Sequence, residues 1–107
     1  MPKPAGNFWR ATMRLRFSEP ARRDLKAIYY QSARQFGVVQ ADRYRDGMLN
    51  ALKFIAENPL AVSVREGHSR PLRVYFYQSH MIVFIIEDEA VWVSRILHQS
   101  QDWKAHL

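Results

Sequence analysis

The segment RPLRVYFYQSHMIVFIIEDEAVWVSRILHQSQD, from Arg70 to Asp102, decides the fold. Its first part, residues 72–77, alternates apolar side chains with polar or aromatic ones, which is the period of a β-strand with two different faces. Residues 80–86 are apolar on both faces, as in a central strand that is covered on both sides. Residues 90–98 alternate again. Because only short polar turns separate the three runs, the segment predicts a three-stranded antiparallel meander.

The half of the chain before this segment predicts one strand and two helices. Ser18 is a good N-cap for the first helix, and Gly37 suits the C-terminal end of that helix. The second helix must end near Pro59, because the residue before a proline is pushed out of the helical region. A link as short as Gly37 makes the two helices an antiparallel hairpin. The predicted elements are a strand over 13–17, helices over about 19–35 and 39–57, and a loop over 60–69.

Together these elements predict a single α+β domain. Its order is an N-terminal strand, an antiparallel two-helix hairpin and the three-stranded antiparallel meander. The apolar stripes of both helices need cover, and the sheet is the only large apolar surface available, so we expect the helices on one face of the sheet and the other face open. The domain covers residues 13–107. Residues 1–12 have two prolines, a glycine and no periodicity, and we interpret them as a flexible N-terminal extension.

Composition limits where the chain works and what it meets. There is no cysteine, so disulfides and thiolate metal sites are excluded, which favours a reducing cytoplasm. The longest apolar run, Met81 to Ile86, is too short to span a bilayer, and no signal peptide is visible. The net charge of +6 predicts an acidic partner, namely nucleic acid, an acidic protein or a membrane surface, although a positive surface can also serve solubility alone. We expect a cytoplasmic protein with no membrane partner.

Polar side chains within the apolar strands mark the candidate site, which we expect on the open face and rim of the sheet. Arg73 shares its strand parity with Tyr75 and Tyr77, so these three should lie on one face. A cluster of cations and aromatic rings could clamp phosphates and stack on bases. A histidine beside them could act as a general acid or base in RNA cleavage. The titratable and cationic residues grouped here are Arg70, Arg73, His80, Arg95 and His98.

A structural interpretation of the same residues stays open. Arg73 and Arg95 could pair with the acidic turn at 87–88 or with a partner's carboxylates, and His98 could be a hydrogen-bonded residue at a strand end. The four histidines show no metal-ligand spacing, and no nucleophile elbow or phosphate-binding glycine loop is present, so neither a metal nor a cofactor is predicted. Tyr29 and Tyr44 fit the helical core better than a ligand site.

The motifs along the chain resemble the ParE branch of the ParE/RelE superfamily of small bacterial toxins, over residues 13–107. Small departures occur in the turns and the tail, where Leu72 directly follows Pro71, Gln78 stands at a usual glycine, and Gln101 stands at a usual methionine. The matching motifs are Ser18, Ala21, Asp24-Leu25, Ile28-Tyr29, Gly37, Gln40-Ala41, Tyr44, Leu49, Leu52, Asn58-Pro59, Arg70-Pro71-Leu72-Arg73, Tyr77-Gln78-Ser79-His80, and Arg95-Ile96-Leu97-His98-Gln99 with Asp102.

The resemblance implies a toxin of a type II toxin–antitoxin pair, of the plasmid-stabilisation kind. A ParD-like antitoxin would wrap a flexible segment around it, and operator DNA would be met only through that antitoxin. The target implied for this branch is DNA gyrase, poisoned without an enzymatic step, so that replication stops. The residues expected to contact antitoxin or target are Arg70, Arg73, Tyr75, Arg95, His98 and Trp103.

Two alternatives remain open, because relatives with different activities share one scaffold. RelE-like relatives cut messenger RNA in the ribosome, and Arg73, Arg95 and His98 would be the catalytic set in that case. The second alternative is a non-toxic relative that survives as a binding module.

Overall fold

The computed structural model describes residues 12–101 and has the predicted α+β architecture. Neither helix within those residues has the combination of length and apolar character that a membrane span requires. The elements in chain order are β1 (Arg14–Phe17), α1 (Glu19–Phe36), α2 (Val38–Glu57), a 3₁₀ turn (Pro59–Ala61), β2 (Arg73–Tyr77), β3 (His80–Glu87) and β4 (Ala90–His98).

Local chemistry sets the ends of the helical hairpin. The Ser18 hydroxyl oxygen accepts a hydrogen bond from the Ala21 amide at 3.1 Å, which caps α1, and the same hydroxyl donates to the Ser94 carbonyl of β4 at 2.7 Å. Gly37 alone separates the two helices. Its φ of 92° lies in a region that other residues adopt only with strain, so the reversal depends on glycine. The predicted antiparallel hairpin is confirmed.

The sheet is mixed, with the strand order β1-β4-β3-β2. β2, β3 and β4 form the predicted antiparallel meander, in which Tyr77 lies opposite His80 and His80 lies opposite His98. β1 pairs in parallel with β4, where Arg14 lies opposite Ala90. The last strand of the sequence therefore becomes an inner strand. A register shift between Val83 and Phe84 marks a β-bulge in the β3–β4 ladder.

Both tight turns of the meander use left-handed backbone without glycine. Gln78 has a φ of 49° in the β2–β3 turn, and Asp88 and Glu89 have φ values of 53° and 59° in the β3–β4 turn. Two-residue hairpins favour such conformations because they match the twist of the strands, and glycine or asparagine adopts them at the lowest cost. The chain thus keeps the turn geometry and accepts some backbone strain.

The core lies mainly between the helices and one face of the sheet. Its largest fully buried side chains include Phe84, Met48 and Leu52. The opposite face carries a second, smaller cluster of buried side chains: Leu72, Val74, Met81, Val83 and Ile85.

One expectation about the faces is wrong. Tyr75 and Tyr77 share a face as predicted, but it is the face covered by the helices. The Tyr75 ring packs against Phe54 of α2 with ring centroids 5.6 Å apart. Tyr77 lies against Gly47 of α2, where a Cβ atom would stand only 1.8 Å from the tyrosine hydroxyl oxygen. Tyrosine side chains are amphipathic, and the free energy gained by burying these two rings against α2 exceeds the cost of partly burying their hydroxyl groups.

Candidate functional site

A pair of histidines lies at the mouth of a groove between α1 and the end of the sheet. His80 and His98 are cross-strand neighbours, with ring centroids 5.2 Å apart and ring planes at 81°. Two adjoining cavities of about 420 and 470 Å³ open beside them. Both cavities are lined by the two histidines together with Ile28 and Gln31 of α1.

Tyr44 of α2 holds His80 in place. The Tyr44 hydroxyl lies 2.8 Å from Nδ1 of His80 and 3.3 Å from the Ser79 amide nitrogen. The Ser79 amide donates to the tyrosine oxygen, the Tyr44 hydroxyl also lies 3.4 Å from the Tyr77 carbonyl oxygen, and the tautomer of His80 decides which atom donates in the Tyr44–His80 hydrogen bond. Burial, and to a lesser degree the neighbouring His98, lower the pKa of His80 to about 4, and Asp24 opposes the shift. Burial also raises the pKa of Tyr44.

His98 is exposed and is held by the turn that follows β4. Its Nδ1 accepts a hydrogen bond from the Ser100 amide at 3.0 Å and lies 2.7 Å from the Ser100 hydroxyl. The His98 amide donates to the side-chain oxygen of Gln101 at 2.9 Å. An imidazole nitrogen that accepts a backbone N–H has its lone pair occupied, so the neutral ring carries its proton on Nε2. Within residues 12–101 no three metal-ligating side chains gather in one place.

Arg95 forms an ion pair with Asp24 within the protein. Its Nε and Nη2 donate to the two carboxylate oxygens of Asp24 on α1, at 2.8 and 3.0 Å. The same carboxylate accepts the Ile96 amide at 2.9 Å. The side chains are 26% and 15% exposed, so most of the pair is shielded from water. The hydrogen bond to Asp24 raises the pKa of Arg95. This clasp fastens α1 to the second half of β4, beyond the residues that pair with β1.

Arg70 and Arg73 lie at the opposite end of the sheet. Arg73 donates to the Val62 carbonyl, and Arg70 forms an exposed salt bridge with Glu87 at 3.3 Å. Arg73 lies opposite Phe84, four residues along β3 from His80, which corresponds to a displacement of about 13 Å.

The structure therefore does not assemble the predicted site as one cluster. His80 and His98 come together, whereas Arg70, Arg73 and Arg95 are each engaged elsewhere. Tyr75 lies under α2 rather than beside His98. Trp103 lies outside the described residues. The proposal that Arg73 or Arg95 pairs with the acidic turn is also wrong, because Arg70 is the residue that meets Glu87.

Two residues of the groove were missed as site residues. Tyr44 was assigned to the core, yet its hydroxyl fixes His80. The ion pair between Asp24 and Arg95 was not predicted. A signal existed for Asp24, because it follows Ala21 by three residues and precedes Ile28 by four, which places a carboxylate at the border of the apolar helix stripe.

Comparison of the amino-acid sequence with known proteins shows which family and which relative this chain is similar to. The family model described as "ParE toxin of type II toxin-antitoxin system, parDE" matches residues 15–103. The Toxin ParE1 of Caulobacter vibrioides is 34% identical over 92 residues, which cover 86% of this chain and 95% of that protein.

Two solved structures share the fold. A chain from the chromosomal ParDE toxin–antitoxin system of P. aeruginosa superposes with a TM-score of 0.71 at 18% identity, covering 81% of this chain and 96% of that one. A chain of the RelBE2 toxin–antitoxin complex from Mycobacterium tuberculosis superposes with a TM-score of 0.62 at 18% identity, covering 83% and 100%. At these identities the likeness concerns the fold alone.

Proposed function

This chain belongs to the ParE toxin family of type II toxin–antitoxin systems, and from that premise we propose that it inhibits DNA gyrase, blocks replication and is neutralised by a ParD-like antitoxin. In this proposal the toxin acts by binding rather than by catalysis. The antitoxin is its direct partner in a hetero-oligomer, and operator DNA is met only through the antitoxin.

One observation carries the choice of a binding mechanism. The three residues that a ribonuclease of this fold would need, Arg73, Arg95 and His98, do not converge. Arg95 is clasped by Asp24, and Arg73 lies about 13 Å along the sheet from the histidines. A general acid–base mechanism requires its groups within hydrogen-bond reach of one substrate, and this arrangement does not provide that.

The test places gyrase and messenger RNA side by side. Purified protein is added to a gyrase supercoiling reaction and, in parallel, to ribosomes programmed with a messenger. We expect supercoiling to be lost, cleaved DNA to accumulate and the messenger to stay intact. Cut messenger with unaffected gyrase would reject the proposal, and growth unaffected by expression of the lone chain would favour a non-toxic binding module.

The contact set Arg70, Arg73, Tyr75, Arg95, His98 and Trp103 remains our proposal for antitoxin or target binding. Arg70 offers the cleanest test within this set, because its salt bridge with Glu87 is exposed and contributes little to stability. Arg70→Glu should weaken antitoxin binding in titration calorimetry without changing the melting temperature. Arg95→Glu is a poor test, because a second carboxylate facing Asp24 would disturb the fold itself.

Ribosome-dependent RNA cleavage is the second candidate, and the His80–His98 pair is the observation that favours it. Two imidazoles beside paired cavities, one of them backed by a tyrosine, are groups that acid–base catalysis uses. If cleavage occurs, His98→Ala should abolish it while the thermal unfolding curve is retained. Cleavage at the wild-type rate by that variant would remove His98 from the catalytic role.

A further inference from the structure

The positive charge of this chain is concentrated at its first strand and the first turns of the helix that follows. Residues 14–26, which we name the basic segment, hold five cations and two carboxylates, so they carry +3 of the net charge of +6. One of the two carboxylates, Asp24, is already engaged by Arg95, which leaves only Glu19 to balance the cations. The five cations are Arg14, Arg16, Arg22, Arg23 and Lys26.

The cations of the basic segment are not neutralised by other side chains of the described chain. All five residues are exposed. None of them lies within salt-bridge distance of a carboxylate in residues 12–101, whereas Arg45, Arg70 and Arg95 each do. A group of unpaired like charges produces a positive potential at the surface, and this potential attracts an anionic partner.

Strand β1 presents its two arginines on one side and at a fixed spacing. Arg14 and Arg16 are exposed, whereas Leu15 and Phe17 pack against the core. Side chains two residues apart on a strand are separated by about 6.6–6.8 Å. Because the phosphates of one DNA strand follow one another at about 3.4 Å along the helix axis, the two arginines span about two phosphate steps.

Two arginines of α1 extend the charge of β1. Arg22 and Arg23 follow the N-cap Ser18 by four and five residues, which is about 6–7.5 Å along the helix axis. The Ser18 hydroxyl donates to the Ser94 carbonyl, so the start of α1 is fixed beside the sheet. The arginines of β1 and α1 therefore lie within reach of one extended polyanion.

Trp92 of β4 lies beside the arginines of β1. It is the neighbour of Arg16 in the parallel pairing, and the Arg16 guanidinium carbon lies 5.8 Å from the centre of its ring. Such stacking orients the guanidinium without neutralising it, so its N–H groups remain able to donate to phosphate. Since the apolar side chains of β1 face the core, this surface suits a polyanion better than a peptide that must bury apolar anchors.

We propose that the basic segment binds the phosphate backbone of duplex DNA, and that the toxin makes this contact with the DNA that gyrase holds. The guanidinium N–H groups donate to phosphate oxygens, which are charge-assisted hydrogen bonds. Contacts to the backbone carry no sequence information, so this binding is independent of sequence and is distinct from operator recognition through the antitoxin. The inference rests on the proposed gyrase target and adds the DNA as a second part of that target.

Fluorescence anisotropy with a labelled DNA duplex of arbitrary sequence tests the contact. The full chain should bind with a Kd of about 10⁻⁴–10⁻⁶ M at physiological salt. With four to five phosphate contacts, the logarithm of the association constant should fall against the logarithm of the salt concentration with a slope of about −4. The double variant Arg14→Gln/Arg16→Gln should bind at least about tenfold more weakly and reduce the magnitude of that slope by about 2.

The matched control is Arg34→Gln/Arg43→Gln. It removes the same charge from two exposed arginines on either side of Gly37 and should retain most of the affinity for DNA. Equal losses in the two double variants, or no binding by the wild-type chain, overturn the proposal. If thermal unfolding shows that the β1 variant is not folded, Arg22→Gln/Arg23→Gln takes its place with the same expected losses.

The gyrase supercoiling assay separates this inference from the proposed function. The wild-type chain and the control variant should inhibit supercoiling at a lower concentration than Arg14→Gln/Arg16→Gln. Equal inhibition by all three overturns the DNA contact and leaves the proposed function intact, whereas no inhibition by the wild-type chain overturns both. Tighter binding to a matched RNA duplex would assign the basic segment to RNA, and a β1 variant that loses antitoxin affinity but not DNA affinity would assign it to an acidic protein; either result rejects the proposal.

Discussion

Replacing Asp24 by Asn should destabilise the protein far more than any surface charge change. The substitution keeps the shape of the side chain but removes the charge that Arg95 neutralises, and it turns an amide group toward a guanidinium that can only donate. The Ile96 amide also loses its charged acceptor. Both losses occur where the side chains are largely shielded from water.

The expected cost is about 2–3 kcal/mol. A hydrogen bond to a charged group contributes about 1.5–3 kcal/mol, and breaking one side of a well-buried ion pair costs about 3–5 kcal/mol, so a partly exposed pair falls at or below the lower end of that range. In a domain of this size the loss corresponds to a melting temperature lowered by about 10–15 °C.

Urea unfolding followed by circular dichroism measures this directly. Asp46→Asn is the matched control, because its 3.4 Å contact with Arg45 is solvent-exposed and should contribute less than about 0.5 kcal/mol. A double-mutant cycle that adds Arg95→Met should return a coupling free energy above about 1 kcal/mol. If Asp24→Asn costs no more than Asp46→Asn, the clasp does not fasten α1 to β4 and Arg95 is free for partners.

Three further predictions concern the packing of β2, its turn and the buried histidine. Gly47→Ala should lower the free energy of unfolding by about 1–3 kcal/mol despite the better helix propensity of alanine, since the new Cβ would collide with Tyr77. In a Tyr77→Ala background the same substitution should stabilise the protein in urea unfolding. If Gly47→Ala destabilises both backgrounds, the collision with Tyr77 is not the cause. Gln78→Gly should stabilise by about 0.5–1 kcal/mol because it relieves a φ of 49°, whereas Ser79→Gly should not, so equal midpoints of thermal unfolding would argue against strain at Gln78. Burial holds the pKa of His80 near 4 in the folded state, against 6.5 in the unfolded chain, so the unfolded chain binds more protons between these pH values. The free energy of unfolding should therefore fall as the pH drops from about 6.5 to 4, by about 1–2 kcal/mol after allowance for partial exposure. A His80→Gln variant whose stability depends on pH with the same slope would refute this assignment to His80.

The fold was predictable because its signals are local and mutually consistent. The alternation around β2 and β4, the all-apolar run of β3 and the helix cap at Ser18 each specify one element without reference to the others. The sequence did not show in the same way which face of the sheet the helices cover. Strand parity groups Tyr75 with Arg73, but it does not say which face the helices cover, and tyrosine fits a wet or a dry face equally well.

The candidate site was harder to predict because its geometry depends on pairs far apart in sequence. Arg95 was assigned to partner binding on the basis of its strand, and only the packing of α1 brings Asp24 to it. His80 and His98 were correctly placed on neighbouring strands, since the meander fixes that pairing. Their hydrogen bonds to Tyr44 and Ser100 could not be read from the pattern, because a tyrosine on an apolar helix stripe normally indicates core.

The parallel pairing of β1 with β4 also determines when this toxin can fold during translation. The strand pairing of Arg14, at the start of the domain, cannot form before Ala90, near its end, has been synthesised. The hydrogen bond from the Ser18 hydroxyl likewise requires the Ser94 carbonyl. Until the ribosome has released β4, the helical hairpin has only part of its sheet, and contacts of such long sequence separation form slowly. Prematurely terminated chains should therefore be harmless to the cell that makes them. Growth arrest by a chain ending at Glu89, before β4 begins, would contradict this order of events.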